Sequence, residues 1–289
     1  MMDYVDIHPH IIADDATRYP RAPLFGKQSD WSQQRPVTID GLVAAMDAAG
    51  VQQAAIVQAS TCYGYDNSYV CDAIGPFPGR FAAVGSVDLL APDATAKIRM
   101  WVDRGLAGLR LFTGGSTAAF DTTALDHPDS FAAWSLAGDL GLSICIQTGP
   151  VGLTQVAGLA KRFPKVRIIL DHLSRPEIDD GAPYAKAAPL FALAAFENIY
   201  LKVTPRTTDA VRTGKADPQS FFTKLVAAFG SDRLAWGSNF PASEGTMKEN
   251  LDRMRADLAF LPEADRRAIF GGTAQRLYPV LAHATVAAP

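Results

Sequence analysis

Apolar residues fall along this chain in two alternating patterns. Short continuous blocks such as Ala54-Ala55-Ile56-Val57 and Ile168-Ile169-Leu170 read as strands buried on both faces. Between them, apolar residues recur three and four apart, as at Leu42, Val43, Met46 and Ala49, where Thr38 or Asp40 offers a cap and Gly50 a stop. The pattern predicts strands over 4–11, 54–60, 81–87, 106–112, 142–147, 166–171 and 199–203, and an eighth starting at Leu234. Helices are expected over 42–49, 67–74, 93–103, 130–141, 153–163, 190–196 and 221–229, and from Met247 to Tyr278 with a break near Pro262. About eight strand–helix units with no break in composition predict a single α/β domain over 1–289, a closed (β/α)8 TIM barrel with its active site at the C-terminal ends of the strands. An open doubly wound sheet would put a glycine-rich turn after an early strand, and no G-x-G-x-x-G stands in the first βα turn.

Composition narrows this little. The chain has 289 residues, 48% hydrophobic and 20% charged, as in ordinary globular proteins. A net charge of -3 argues against a nucleic-acid partner. The start lacks a basic segment followed by an apolar run, and no stretch of about 18 apolar residues occurs, so neither a secretory signal nor a membrane span is expected. Cys62, Cys71 and Cys145 are odd in number and lack metal-type spacing; they read as buried free thiols in a reducing cytoplasm.

The polar residues at strand ends change the picture most. His8 and His10 are two apart and so share a face of the first strand. Two imidazoles there can bind a divalent metal or a substrate carbonyl; surface histidines on a fraying terminus are the plainer alternative. Ser60 ends the second strand, and Tyr65 and Asn67 follow in a loop that also reads as an ordinary turn and helix cap. Arg110, between Leu109 and Leu111, needs a partner if buried: a structural carboxylate, or a substrate carboxylate gripped through both oxygens. Gln147 ends the fifth strand, and His172 and Arg175 follow the sixth. Lys202, Thr204 and Arg206 close the seventh, where Lys202 reads equally as an outward, solvated residue. Asn239 follows the eighth; an Asp there could take a proton from water, an Asn cannot. Arg110, Arg175, Lys202 and Arg206 would focus positive potential and draw in an organic acid. His127 and His283 are assigned no role.

The motifs Asp6-Ile7-His8-Pro9-His10, Asp171-His172-Leu173-Ser174-Arg175-Pro176 and Trp236-Gly237-Ser238-Asn239-Phe240-Pro241 together resemble those of the amidohydrolase superfamily, in the branch of 2-pyrone-4,6-dicarboxylate lactonase. The resemblance extends to Val57-Gln58-Ala59-Ser60 and to the Arg after Gly108-Leu109. It implies a hydrolase that opens the lactone ring of a small carboxylated or sulfonated acid. His8, His10 and His172 would polarise the carbonyl; Ser60, Arg110 and Arg206 would hold substrate, and Tyr65, Asn67, Gln147, Arg175 and Lys202 would add contacts. The metal-dependent members of that superfamily use further ligands, including an Asp where Asn239 stands. The expectation is therefore that no cofactor is required, with one Zn²⁺ on His8, His10 and His172 as the alternative. With Asn239 in place of the usual base, either a neutral histidine, His172 first, takes the proton, or the reaction is a lactone isomerisation in which a substrate hydroxyl attacks. A decarboxylase and a non-catalytic binder rank lower. Barrels of this kind often associate, which leaves a homo-oligomer open.

Overall fold

The computed structural model describes residues 2–282. Eight parallel strands follow one another in sequence order: β1 (Val5–Asp6), β2 (Gln53–Val57), β3 (Phe81–Gly85), β4 (Leu106–Phe112), β5 (Ser143–Gln147), β6 (Arg167–Leu170), β7 (Ile199–Val203) and β8 (Leu234–Trp236). The Ile7 N–H donates to the Trp236 carbonyl at 3.1 Å and brings β8 back to β1, so the sheet is a nearly closed barrel with helices between its strands. Side chains reinforce that seam. Asp6 accepts the Ser238 backbone N–H at 2.8 Å and also the Ser238 hydroxyl. Gly237 allows the close approach, since a Cβ there would lie 2.6 Å from the His8 Cβ.

Most elements match the apolar pattern. Thr38 caps the helix Ile39–Ala49 by accepting the Gly41 N–H, and Gly50 ends it in the left-handed region. Three expectations are corrected, and two helices are added. The first strand is only Val5–Asp6, because the His8 N–H turns to Asp6 and Pro9 has no N–H for a ladder. Ser60 does not end β2 but opens a short helix, Ser60–Tyr63. The helix expected over 190–196 is Ala188–Ala192 flanked by 3-10 turns. The helices Asp30–Gln34 and Pro205–Ala210 were not foreseen; the second has no apolar period and is set by its ends, a Thr204 capping box and Pro205 at its first position.

One apolar layer inside the barrel comprises Val5, Ile7, Val57, Val84, Cys145 and Ile169, packed with Leu277, Tyr278 and Leu281 from the last described helix and turn. The three cysteines are free and buried, as the spacing suggested. Toward the C-terminal ends of the strands the interior turns polar, which places the site. Among the described residues, no helix is long and apolar enough to cross a membrane.

Candidate active site

A buried ionic group lies under the barrel mouth. Asp171 follows β6 directly, and its Oδ2 accepts the Arg110 Nε–H at 2.8 Å. Its Oδ1 lies 3.0 Å from Lys202 Nζ and 3.5 Å from His8 Nδ1. Burial alone would raise the Asp171 pKa, but the Lys202 and Arg110 cations hold the carboxyl well below the usual range. Lys202 is fully buried, which rules out the outward reading; it lies beneath the histidines rather than at the mouth.

The partners of two histidines fix their tautomers. Lys202 Nζ is 3.0 Å from His8 Nδ1, and an ammonium only donates, so His8 Nδ1 accepts and Nε2 carries the proton. That Nε2 is buried with no partner among the described residues. His10 Nδ1 donates to the Val57 carbonyl at 2.7 Å, which leaves a lone pair on its Nε2. His172 Nδ1 shares a 2.8 Å hydrogen bond with the Thr204 hydroxyl, in which either group can donate. The His8 ring packs edge-on against His10 and His172 at 4.9 and 4.8 Å between centroids. All three are neutral at physiological pH: burial first, then neighbouring Lys202, lowers His8 to about 3, and burial and nearby charge push His10 and His172 well below 6.5.

A cavity above them is lined by His10, Arg110, Gln147, His172, Arg175, Arg206 and Asn239, together with Trp31 and Phe112. Trp31, which no strand-end argument could place, stacks on His10 at 5.1 Å. His172, Leu173, Ser174 and Arg175 all adopt left-handed backbone, with φ of 52–56°, and Asn239 has φ 51°. Each such residue costs about 1–2 kcal/mol, and the turn carries His172 and Arg175 to the same cavity. Arg175 donates to the Gly115 carbonyl at 2.8 Å; burial, then Arg206 and Arg110, lower it to about 10. Asn239 Nδ2 donates to Ser243 Oγ at 2.8 Å.

Besides Lys202, three expected contacts lie elsewhere, and His8, fully buried, sits beneath the cavity rather than among its lining residues. Ser60 is buried, sharing a 2.6 Å hydrogen bond with Ser86 and donating to Gln58. Asn67 is buried too, donating to the Ser86 carbonyl and accepting its N–H, and so ties the loop after β2 to the end of β3. Tyr65 lines a neighbouring cavity. Asp171, within the sixth-strand motif, and Thr204, closing the seventh strand, had no assigned role; the signal for Asp171 was a carboxylate closing an apolar strand.

The amidohydrolase family model matches residues 5–280. The chain belongs to the amidohydrolase family. The motif resemblance is thereby borne out at family level. An L-fucono-1,5-lactonase of Burkholderia ambifaria is 28% identical to this amidohydrolase over 96% of this chain and 95% of its own. A Pseudomonas putida structure described as a 2-pyrone-4,6-dicarboxylic acid hydrolase shares the fold with a TM-score of 0.78, at 19% identity over 97% of this chain and 98% of that one. An amidohydrolase of Burkholderia multivorans with bound zinc does so with a TM-score of 0.77, at 23% identity over 96% and 99%.

The zinc in that relative prompts the same question of this amidohydrolase. Among the described residues, no three His, Cys, Asp or Glu side chains form a group that could hold an ion. One His8 nitrogen faces the Lys202 ammonium, which already supplies a positive charge there. With Nδ1 facing Lys202, His8 could join His10 and His172 on one Zn²⁺ only by giving up its Nε2 proton, so the donor set as arranged fits the ion poorly.

Proposed function

We propose that this amidohydrolase opens the lactone ring of a small anionic substrate by adding water to its carbonyl. The observation that carries the reading is the pairing of three guanidiniums, Arg110, Arg175 and Arg206, with neutral histidines around one cavity. The lactone-hydrolysing names of relatives point the same way. Arg175 and Arg206 take the substrate's carboxylate; Arg110 is engaged through Nε, so only its terminal nitrogens are free to contribute. The His8 Nε2–H polarises the carbonyl. The His10 Nε2 lone pair removes a proton from water as its oxygen attacks, and the proton passes to the ring oxygen as the carbon–oxygen bond breaks. The product is the ring-opened hydroxy acid. Asn239 orients the attacking oxygen.

Arg206→Ala is expected to raise KM for a carboxylated lactone by about 10–100-fold with a smaller effect on kcat; steady-state kinetics read this, and an unchanged KM would remove Arg206 from substrate anchoring. Because the histidine pKa values are depressed, the neutral, proton-accepting forms persist as pH falls below 6.5. The kcat/KM profile should thus show no acid limb near 6.5, and an inflection there would mean that an ordinary, solvated histidine governs the step. The same shifts destabilise the fold in acid, since the unfolded chain binds protons on these histidines from pH 6.5 downward while the native chain does not.

Asn239 supports a second reading, isomerisation, in which a substrate hydroxyl attacks and water activation is disfavoured. Product NMR separates the two: an open acid supports hydrolysis and a rearranged lactone supports isomerisation. Hydrolysis seen only after Asn239→Asp would contradict water attack by the chain as it stands.

A further inference from the structure

We infer that the natural substrate carries an uncharged hydrocarbon substituent, which occupies a second cavity beside the catalytic one; this rests on the lactonase reading above. The catalytic cavity is small, about 50 Å³. A cavity of about 150 Å³ is what holds a benzene ring, so a substrate must extend beyond it; a cavity of about 210 Å³ that shares His172, Arg175 and Arg206 with it suits the acid group. A second cavity of about 130 Å³ abuts the catalytic cavity, with Arg110 and Phe112 lining both. Its walls are chiefly apolar: Leu24, Phe25, Val87, Leu89, Phe112 and Leu125.

Two further observations mark this cavity as a binding surface. Phe25 and Tyr65 line it while 52% and 46% exposed, among few large apolar side chains so exposed in the described residues. Phe25 also holds a left-handed backbone, φ 61°, which is a costly state for a bulky residue. Its ring is thereby held 6.1 Å from Phe112, over the shared wall. An apolar occupant would bury the exposed faces of both aromatics and offset that cost. The charge pattern selects the occupant's chemistry. Asp88 and Asp121 line this cavity, whereas Arg175 and Arg206 line the other. An acid group is therefore drawn to the catalytic side and repelled from the second cavity. By comparison with benzene in about 150 Å³, the space suits a chain of about four carbons.

The test is a series of carboxylated lactones bearing hydrogen, ethyl, butyl or carboxyethyl at the ring position remote from the acid. Burial of each methylene is worth about three- to fourfold, so kcat/KM should rise on the order of 100-fold from hydrogen to butyl and fall for carboxyethyl. Ala124→Phe, which narrows the cavity from an exposed loop position, should collapse the butyl-to-hydrogen ratio toward one. Equal kcat/KM across the series, or preference for carboxyethyl, would overturn the inference. Calorimetric binding of the ring-opened acids makes the same comparison without turnover. If no lactone is opened, the lactonase reading fails, while a butyl preference in binding still supports the second cavity and its absence rejects it.

Discussion

Replacing Lys202 with methionine is expected to lower kcat/KM by about 10²–10³-fold, the range found when one donor to a developing oxyanion is removed. Lys202 need not touch substrate to have this effect. Its ammonium occupies His8 Nδ1 and so keeps the proton on Nε2, the atom assigned to the carbonyl. Without it, His8 Nδ1 lies 3.5 Å from Asp171 and gains a carboxylate as its only charged neighbour on that side, which favours a proton on Nδ1 and turns Nε2 into an acceptor. Stability should fall as well, by about 3 kcal/mol, because breaking a buried pair leaves a charge uncompensated, although Arg110 still holds the other Asp171 oxygen. Nitrogen NMR of the His8 ring distinguishes the roles: a purely structural Lys202 would lower the melting temperature and leave the tautomer unchanged, whereas the positioning role requires the tautomer to shift. Normal turnover with an altered tautomer would refute the assignment of His8.

His10→Gln should lower kcat by about 10²–10⁴-fold, the usual worth of a general base, with little change in KM. The glutamine amide puts a polar but non-basic group near the place of Nε2, so the basic lone pair is lost, together with the Nδ1–H bond to the Val57 carbonyl. His172→Gln serves as the comparison. If His172→Gln alone carried the loss, the base would be His172, as the sequence suggested, with its Nδ1–H donating to the Thr204 hydroxyl so that Nε2 holds the lone pair.

The barrel was legible because parallel strands buried on both faces leave continuous apolar blocks, and most of them, from Gln53–Val57 to Ile199–Val203, fall where expected. Histidines and arginines at strand ends were legible for the same reason, since the fold delivers those positions to one face. What stayed hidden depends on direction and partner. Nothing in periodicity shows that Ser60 opens a helix and turns to Ser86. Nothing local distinguishes an outward lysine from Lys202, whose burial depends on Asp171 and His8 far away in sequence. The left-handed run from His172 to Arg175 contains no glycine to announce it. Trp31 reaches the site from the short helix Asp30–Gln34, outside the alternation that identified the rest.

The central claim is that water attacks a lactone carbonyl in a pocket of neutral histidines and arginines. Turnover of a carboxylated lactone in water labelled with heavy oxygen, on chelator-treated protein, tests it most directly. One labelled oxygen in the new carboxylate of a ring-opened product, at an undiminished rate, is the predicted result. A rearranged lactone without label, or activity that returns only with added metal, would contradict it.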